Sequence, residues 1–346
     1  MKRVPSSVTI RDVARHAGVG VATVSRVLNG GRQVSSRTRS RVLVAIKQLG
    51  YRPLAQARRI LRPHAGMVCF LLSNRNFLHS LHARILQGVE SYASAVSQHV
   101  VFAVLHYDAT TPPDRIPLPP ILRERGWVDG LILAGTTYTN FLRRIESIHV
   151  PVVAFGNTVV GLGAGEHLDQ VRFDGAKAEF RATQYVIEQG HKRVAFVGDT
   201  SYPWFRERYE GYLEALRANG LEPIACTSPH EGGYTEYGDW AAPCLLSITP
   251  RPTAIMAGND EIAYGLWRTF RRLGIHVPDE ISLVGFDDRE EARLMDPHLT
   301  TISVPKELIG ESLMRLLLEK LERPGTFLGE RIVPTELVVR DTVKRL

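Results

Sequence analysis

From Gly66 to the C-terminus, short apolar runs alternate with amphipathic stretches. The runs are MVCFLL (67–72), VVFAVL (100–105), VDGLILAG (128–135), PVVAFGN (151–157), RVAFVGD (193–199), AIMAGND (254–260) and ISLVGFDD (281–288). Near-continuous apolar runs of this length read as strands covered on both faces, as in a parallel sheet. Between them, residues 206–218 carry Tyr209, Tyr212, Leu213 and Leu216 at helical spacing, and residues 261–273 form another helical stretch. Seven such strands exceed one doubly wound sheet of usual size. The pattern therefore predicts an α/β body of two similar lobes, each a doubly wound parallel sheet, with a cleft between them.

The chain before Gly66 has a different texture. An amphipathic stretch with Val13, Ala14 and Ala17 on one face reaches Gly18, and a second short helix starts near Val21 with Val24, Val27 and Leu28 turned inward. Two short helices about a glycine turn are the sequence form of a helix-turn-helix, whose second helix enters the DNA major groove. A third helix follows, capped by Ser35 or Ser36, carried by Val42, Ile46 and Leu49, and stopped by Gly50. Residues 1–50 thus read as an all-α head. Residues 51–65, bracketed by Pro53 and Pro63, are too short and too basic for a core and read as a linker. Leu54 to Leu61 holds no helix breaker, so two turns of helix can form there once something supports them.

Charge sharpens the division. Residues 1–62 carry 14 Lys and Arg against one acid, Asp12, a net +13; the remaining 284 residues carry 29 basic and 35 acidic residues, a net −6. A basic helical head on a mildly acidic body points to double-stranded DNA as a partner. No run approaches the roughly 18–20 apolar residues of a membrane span, so no membrane partner is expected. Arg11, Asp12 and Arg15 break any signal-peptide core. Cys69, Cys226 and Cys244 are widely separated and form no CxxC pair, which argues against zinc or a disulfide framework and for a cytoplasmic setting. Cys69, inside MVCFLL, reads as a buried small hydrophobe.

Several strand candidates end in polar pairs: Gly156-Asn157, Gly198-Asp199, Asn259-Asp260 and Asp287-Asp288. Ligands of open α/β sheets bind outside the carboxyl ends of the strands, so these ends are the binding candidates. Asp pairs at strand ends also suit an enzyme. The chain has no GxSxG, HExxH or GxxxxGK[ST], and GVGVAT (18–23) follows a helical pattern where a nucleotide loop needs a strand. GLGAG (161–165) reads as a flexible loop. Neither an enzyme nor a periplasmic sugar carrier accounts for residues 1–62. No catalytic residue, metal or cofactor is expected.

The whole chain resembles the LacI/GalR family of bacterial transcriptional regulators, which join a helix-turn-helix head to a periplasmic-binding-protein-like body. The resemblance rests on TIRDVARHAGV, TVSRVLN and AIKQLGYRP in the head, ARRI in the linker, and VDGLIL, GHKRVAFVGD, RYEGYLEAL, AIMAGND, VPDEISLVGFDD, PHLTTISVP and ELVVRDT in the body. It implies that Val21, Ala22 and Arg26 face base edges, with Arg26 able to fork onto guanine. Thr23, Ser25 and Asn29 would hold phosphates, with plain helix surface as the alternative for Thr23 and Ser25, and Thr9 is a further DNA-binding position. Gly20 stands where the family usually has Ser, removing one phosphate contact. In the linker the resemblance makes Ala57, Arg58 and Ile60 hinge-helix residues, Ile60 being the minor-groove wedge, against the alternative of a solvated basic linker.

In the body the resemblance implies effector contacts at Arg208, Asp287, Asn259, Tyr234, Leu81 and His82. Arg208 suits a polyol or carboxylate, with a surface ion pair as its alternative. Tyr234 suits stacking on a sugar or a place in the core, and His82 suits a ligand bond or an ordinary helix start. Leu81 and His82 replace two usual aromatics, so the ligand class does not carry over. The lobes are expected at about 66–168 with 299–328, and about 169–298 with 329–346. The implied function is a ligand-responsive, sequence-specific repressor that binds a pseudo-palindromic operator. Its small-molecule effector, a sugar or sugar derivative, would sit between the lobes. The chain ends four residues after Thr342 with no added heptad helix, so a homodimer is expected.

Overall fold

Thr9 sets the start of the first helix. In the computed structural model, which describes residues 8–28, 34–51, 66–75, 80–123, 126–161, 167–229 and 232–346, the Thr9 hydroxyl accepts from the Asp12 N–H at 3.4 Å. The Asp12 carboxylate in turn accepts from the Thr9 N–H at 2.9 Å, completing a capping box. Helix α1 (Ile10–Ala17) ends at Gly18, whose φ of 60° is a left-handed conformation that side chains adopt only with strain. Helices α2 (Val21–Leu28) and α3 (Ser36–Leu49) follow, and Ser35, not Ser36, caps α3 by accepting from the Thr38 N–H. Val13, Ala14, Ala17, Val24, Val27, Val42, Ala45 and Tyr51 form one small core. Arg41 fastens the turn by donating to the carbonyls of Ala17 and Gly18. Residues 1–65 and 66–346 separate as two units.

All seven apolar runs are strands of the second unit. Its first lobe runs β1 (Met67–Ser73), α4 (Ser80–Ala95), β2 (His99–Leu105), α5 (Pro120–Arg123), β3 (Gly130–Gly135), β4 (Thr137–Tyr138), α6 (Thr139–Glu146), β5 (Val152–Phe155), β6 (Val159–Val160) and β7 (Gln170–Phe173). The second lobe runs α7 (Gly175–Glu188), β8 (Val194–Val197), α8 (Pro203–Ala218), β9 (Ile224–Cys226), α9 (Tyr234–Ser247), β10 (Ala254–Ala257), α10 (Asp260–Arg272), β11 (Ser282–Asp287) and β12 (Thr300–Ser303). The chain then returns to the first lobe for α11 (Lys306–Glu322) and β13 (Glu330–Val333), and to the second for β14 (Glu336–Val338). The two large sheets have the orders β13-β7-β5-β3-β1-β2 and β14-β12-β11-β10-β8-β9, with β4 and β6 paired separately. Every pairing in the large sheets is parallel except β12 with β14.

Alternation along β1 shows how each sheet is covered. Val68, Phe70 and Leu72 join the core with α4 and α11, while Cys69 and Leu71 face the cluster of Phe141 and Ile145 on α6. In the second lobe α7 and α8 cover one face and α9 and α10 the other. The cluster that contains α4 and α11 also contains α7 and α8, so one apolar core runs through both lobes. Strand β2 departs from the expected two-sided burial. It is an edge strand, and Phe102 and Val104 on it are exposed at 36% and 40%.

The lobe boundaries need correction. Gln170–Phe173 belongs to the first sheet, Thr300–Ser303 to the second and Glu330–Val333 to the first, so each crossing lies five residues beyond the expected position. The segments QVRF, TTIS and ERIV mix polar residues into short strands and show no apolar run. Their place is decided by pairing with a neighbour, which a pattern of hydrophobicity does not record.

Helices α4 and α11 cross at two glycines. A Cβ on Gly88 would lie 2.0 Å from the Glu307 carbonyl oxygen, and one on Gly310 would lie 2.0 Å from that of Ile85. The backbones touch, and no side-chain movement can relieve an added methyl. Gly310→Ala is expected to lower the unfolding free energy by about 1–3 kcal/mol, as overpacking does. Urea titration measures it, and a loss no larger than that of Gly20→Ala, where a Cβ meets nothing within 4 Å, would refute the close crossing.

Candidate functional site

On the head, α2 presents two faces. Val24 and Val27 are buried, while Val21, Ala22 and Arg26 are exposed and Thr23 and Ser25 half-exposed. The exposed Val21, 43% accessible on a helix with an available core, is the arrangement expected of a residue reserved for a partner. Gly20 supplies the carbonyl that accepts from Thr23 and Val24 at the helix start. Thr9 has its hydroxyl engaged in the capping box. The Asn29 side chain, and Ala57, Arg58 and Ile60 in the linker, lie outside the described residues.

In the body, all six expected effector residues line one cavity. Its wall is Arg75, Leu81, His82, Phe155, Asn157, Thr158, Phe173, Trp204, Arg208, Tyr234, Asn259 and Asp287. These residues follow the carboxyl ends of β1, β5, β7, β10 and β11 or stand at the starts of α4, α8 and α9, where an open α/β fold receives ligands. The free volume is about 50 Å3, well below the 300–1,000 Å3 of most ligand sites. A second space of about 240 Å3, with Asp199, Tyr202 and Glu261 in its wall, adjoins it across Arg75 and Tyr234.

Arg208 sits at the centre. It is buried, stands 3.3 Å from the equally buried Asp287 carboxylate, donates to the Gly258 carbonyl, and lies 3.6 Å from the ring centre of Phe286. Its Nε has no hydrogen-bond partner among the described residues. The expected alternative, a surface ion pair, does not fit this burial. Asp287 has φ 110° and Asp288 φ 48°, backbone conformations that cost on the order of 1–3 kcal/mol each in a non-glycine residue. Lys306 holds this turn from below by donating to the carbonyls of Asp287, Asp288 and Val304. Its burial pulls the ammonium pKa down, against the pull of the neighbouring carboxylates.

The remaining positions divide between ligand-facing and supporting work. Asn259 caps α10 through its oxygen, which accepts from the Ile262 N–H at 2.9 Å, leaving its amide nitrogen for the cavity. Tyr234 packs edge-on against Phe205 and accepts a hydrogen bond from Arg75, so it serves core and cavity together. His82 is buried edge-on to Phe155. Asn157 bonds the Phe173 backbone in both directions, at 2.9 and 3.0 Å, joining β5 to β7. Asp260 turns inward instead of facing the cavity. Thr301 donates to it at 2.6 Å and the Arg289 N–H at 2.7 Å, and burial with Asp287 nearby pushes it up to about 8. Arg75, Trp204, Phe155 and Phe173 were not expected. Trp204 lies one helical turn before Arg208, a signal that was available; the two phenylalanines look like ordinary core.

The head with an exposed recognition face and the body with a cavity between two parallel sheets define a ligand-binding, helix-turn-helix class of protein. Residues 9–53 match the family described as bacterial regulatory proteins, lacI family, and residues 183–343 match the periplasmic binding protein-like domain. Catabolite control protein A of Priestia megaterium is 32% identical, covering 92% of this chain and 93% of that protein. The transcriptional repressor CytR of Escherichia coli K12 is 30% identical, covering 100% and 99%. Among solved structures, the lac repressor dimer bound to operator and the anti-inducer ONPF superposes with a TM-score of 0.81 at 25% identity, covering 98% of this chain and 100% of that one. A CelR–cellobiose complex superposes at 0.68 with 29% identity, covering 97% and 99%. The chain belongs to the lacI family of bacterial regulatory proteins.

Glu179 on α7 gives a pH test of this region. It is fully buried beside Arg208, one carboxyl oxygen has no partner, and burial pushes it from 4.5 up to about 8. The folded state therefore holds a proton that the unfolded chain releases. Its contribution is complete below about pH 4.5 and is lost as pH rises to about 8. Glu179→Gln should flatten the fall in melting temperature between those pH values, and unchanged pH profiles would show that Glu179 is ionised.

Proposed function

We propose that the chain is a ligand-controlled transcriptional repressor of the cytoplasm, and not an enzyme. The observation that carries this is one cavity in the body. Six residues spread from Leu81 to Asp287 converge on it, in a chain that also carries an exposed helix-turn-helix. The relatives are transcriptional repressors, and no described helix is long and apolar enough to cross a membrane. Two copies pair through their bodies, and their heads read the halves of a pseudo-palindromic operator, with Val21, Ala22 and Arg26 at base edges. Exposed Val96, Phe102 and Val104 at the β2 edge supply an apolar face suited to such pairing.

Residues 51–65 serve as the hinge, with Ala57, Arg58 and Ile60 at the operator centre. A sugar or sugar derivative is the effector, in keeping with the cellobiose and ribose bound by neighbouring structures. Arg208, Asp287 and Asn259 bond its hydroxyls, and Tyr234, Leu81 and His82 enclose it. Because Arg208, Asp287 and Asn259 hold the ligand from the second lobe while Leu81 and His82 enclose it from the first, binding biases how the lobes align. Operator and effector then alter each other's affinity by the same factor.

The test uses an operator selected from random duplexes. Arg26→Ala is expected to weaken that operator by about 1–3 kcal/mol with little change on random duplex, and binding should fall steeply with added salt. A flat salt response, or equal losses on both duplexes, would overturn the proposed reading.

A further inference from the structure

At the cavity wall two guanidiniums face one carboxylate. Arg208 is matched with Asp287 at 3.3 Å. Arg75 has no carboxylate partner among the described residues. It follows β1 in the first lobe and reaches the second, where its Nη2 donates to the Tyr234 hydroxyl at 2.9 Å. Its guanidinium lies 5.2 Å from the ring centre of Trp204 and 5.7 Å from that of Tyr234. The acids in the adjoining space are already engaged. Asp199 accepts from the Ser201 N–H at 2.9 Å and its hydroxyl at 2.6 Å, and Glu261 pairs with Arg289 at 3.0 Å.

A half-buried cation resting on neutral rings has given up part of its water without a described carboxylate within ion-pair distance. Its planar fork matches a carboxylate or phosphate in two parallel hydrogen bonds, a geometry that hydroxyls satisfy less well. We propose that the effector carries an anionic group, a carboxylate or a phosphate, which Arg75 receives while Arg208 and Asp287 hold hydroxyls of the same molecule. The inference rests on the reading of this cavity as the effector site. Room for the ligand follows from the same residue. The anion draws Arg75 off the Tyr234 hydroxyl, and that pair lines both the space of about 50 Å3 and the one of about 240 Å3. Arg75 comes from one lobe and Arg208 from the other, so one molecule bound to both ties the lobes together.

The experiment is calorimetric titration of the full-length chain with glucuronate, gluconate, glucose 6-phosphate and neutral glucose. It is run on the wild type, Arg75→Gln, Arg75→Lys and Asp287→Asn. At least one anionic probe is expected to bind more tightly than glucose, and the carboxylate and phosphate arms show which group is taken. Arg75→Gln should weaken that probe about 10- to 100-fold, the range of a charge-assisted hydrogen bond, and Arg75→Lys should recover part of the loss. Glucose binding as tightly as every anionic probe, no anionic probe binding at millimolar concentration, or an unchanged affinity in Arg75→Gln would each overturn the proposal. Asp287→Asn separates the two readings. If it weakens whatever binds while Arg75→Gln does not, the cavity stands as the effector site and the anion is wrong. If it leaves binding intact, the cavity itself is wrong.

Discussion

The buried guanidinium of Arg208 is the constraint around which the cavity end of the second lobe is built. A charge taken out of water must be matched, and leaving one partner of such a pair alone costs about 3–5 kcal/mol. The fold matches it with Asp287, the Gly258 carbonyl and the face of Phe286. Each partner fixes something else. Asp287 meets Arg208 from a backbone at positive φ, and that turn is held by Lys306, on the segment that has just returned to the first lobe. Phe286 in turn lies 5.8 Å from Phe173, at the end of the first sheet. The ligand site and the joint between lobes are thus built from the same side chains.

This sharing gives the site its leverage. On the proposed reading, a ligand that engages Arg208 or Asp287 acts on a pair that lies against Phe173 at the end of the first sheet, so differential affinity for two alignments requires no long relay. The rest of each lobe is stiff by comparison. Helices α4 and α11 touch backbone to backbone at Gly88 and Gly310, and α9 and α10 do the same at Gly238 and Gly265. Packed elements with no slack move as units, which confines the change to the three crossings and the cavity between them.

What was legible in the sequence follows the strength of each local signal. Continuous apolar runs announced seven strands, six of them because burial on both faces leaves little other composition, and β2 although its edge position leaves Phe102 and Val104 exposed. The helix-turn-helix was legible because Gly18, Ser35 and Gly50 each perform a turn or capping role that few residue types can fill. The crossings at QVRF, TTIS and ERIV were misplaced because their membership is decided by a partner strand and not by their own pattern. The six expected cavity residues were found through family motifs and strand ends. Phe155 and Phe173 were invisible, since a phenylalanine in a cavity wall has the same sequence context as one in a core. Arg75 was missed because it stands in SNRNFLHS, where the chain departs from the family pattern.

That departure bears on specificity. Where the chain keeps the family motif, as at Arg208 and Asp287, it keeps a buried guanidinium–carboxylate pair in the cavity wall. Where it replaces two aromatics with Leu81 and His82, it gives up flat stacking surface on the first lobe. The second lobe compensates with Trp204 and Tyr234, and both are covered by a cation from the first lobe. On the proposed reading, a ligand that uses these rings first displaces or neutralises that cation, and selection is then set by charge before shape, because the rings are reached only after Arg75 has moved.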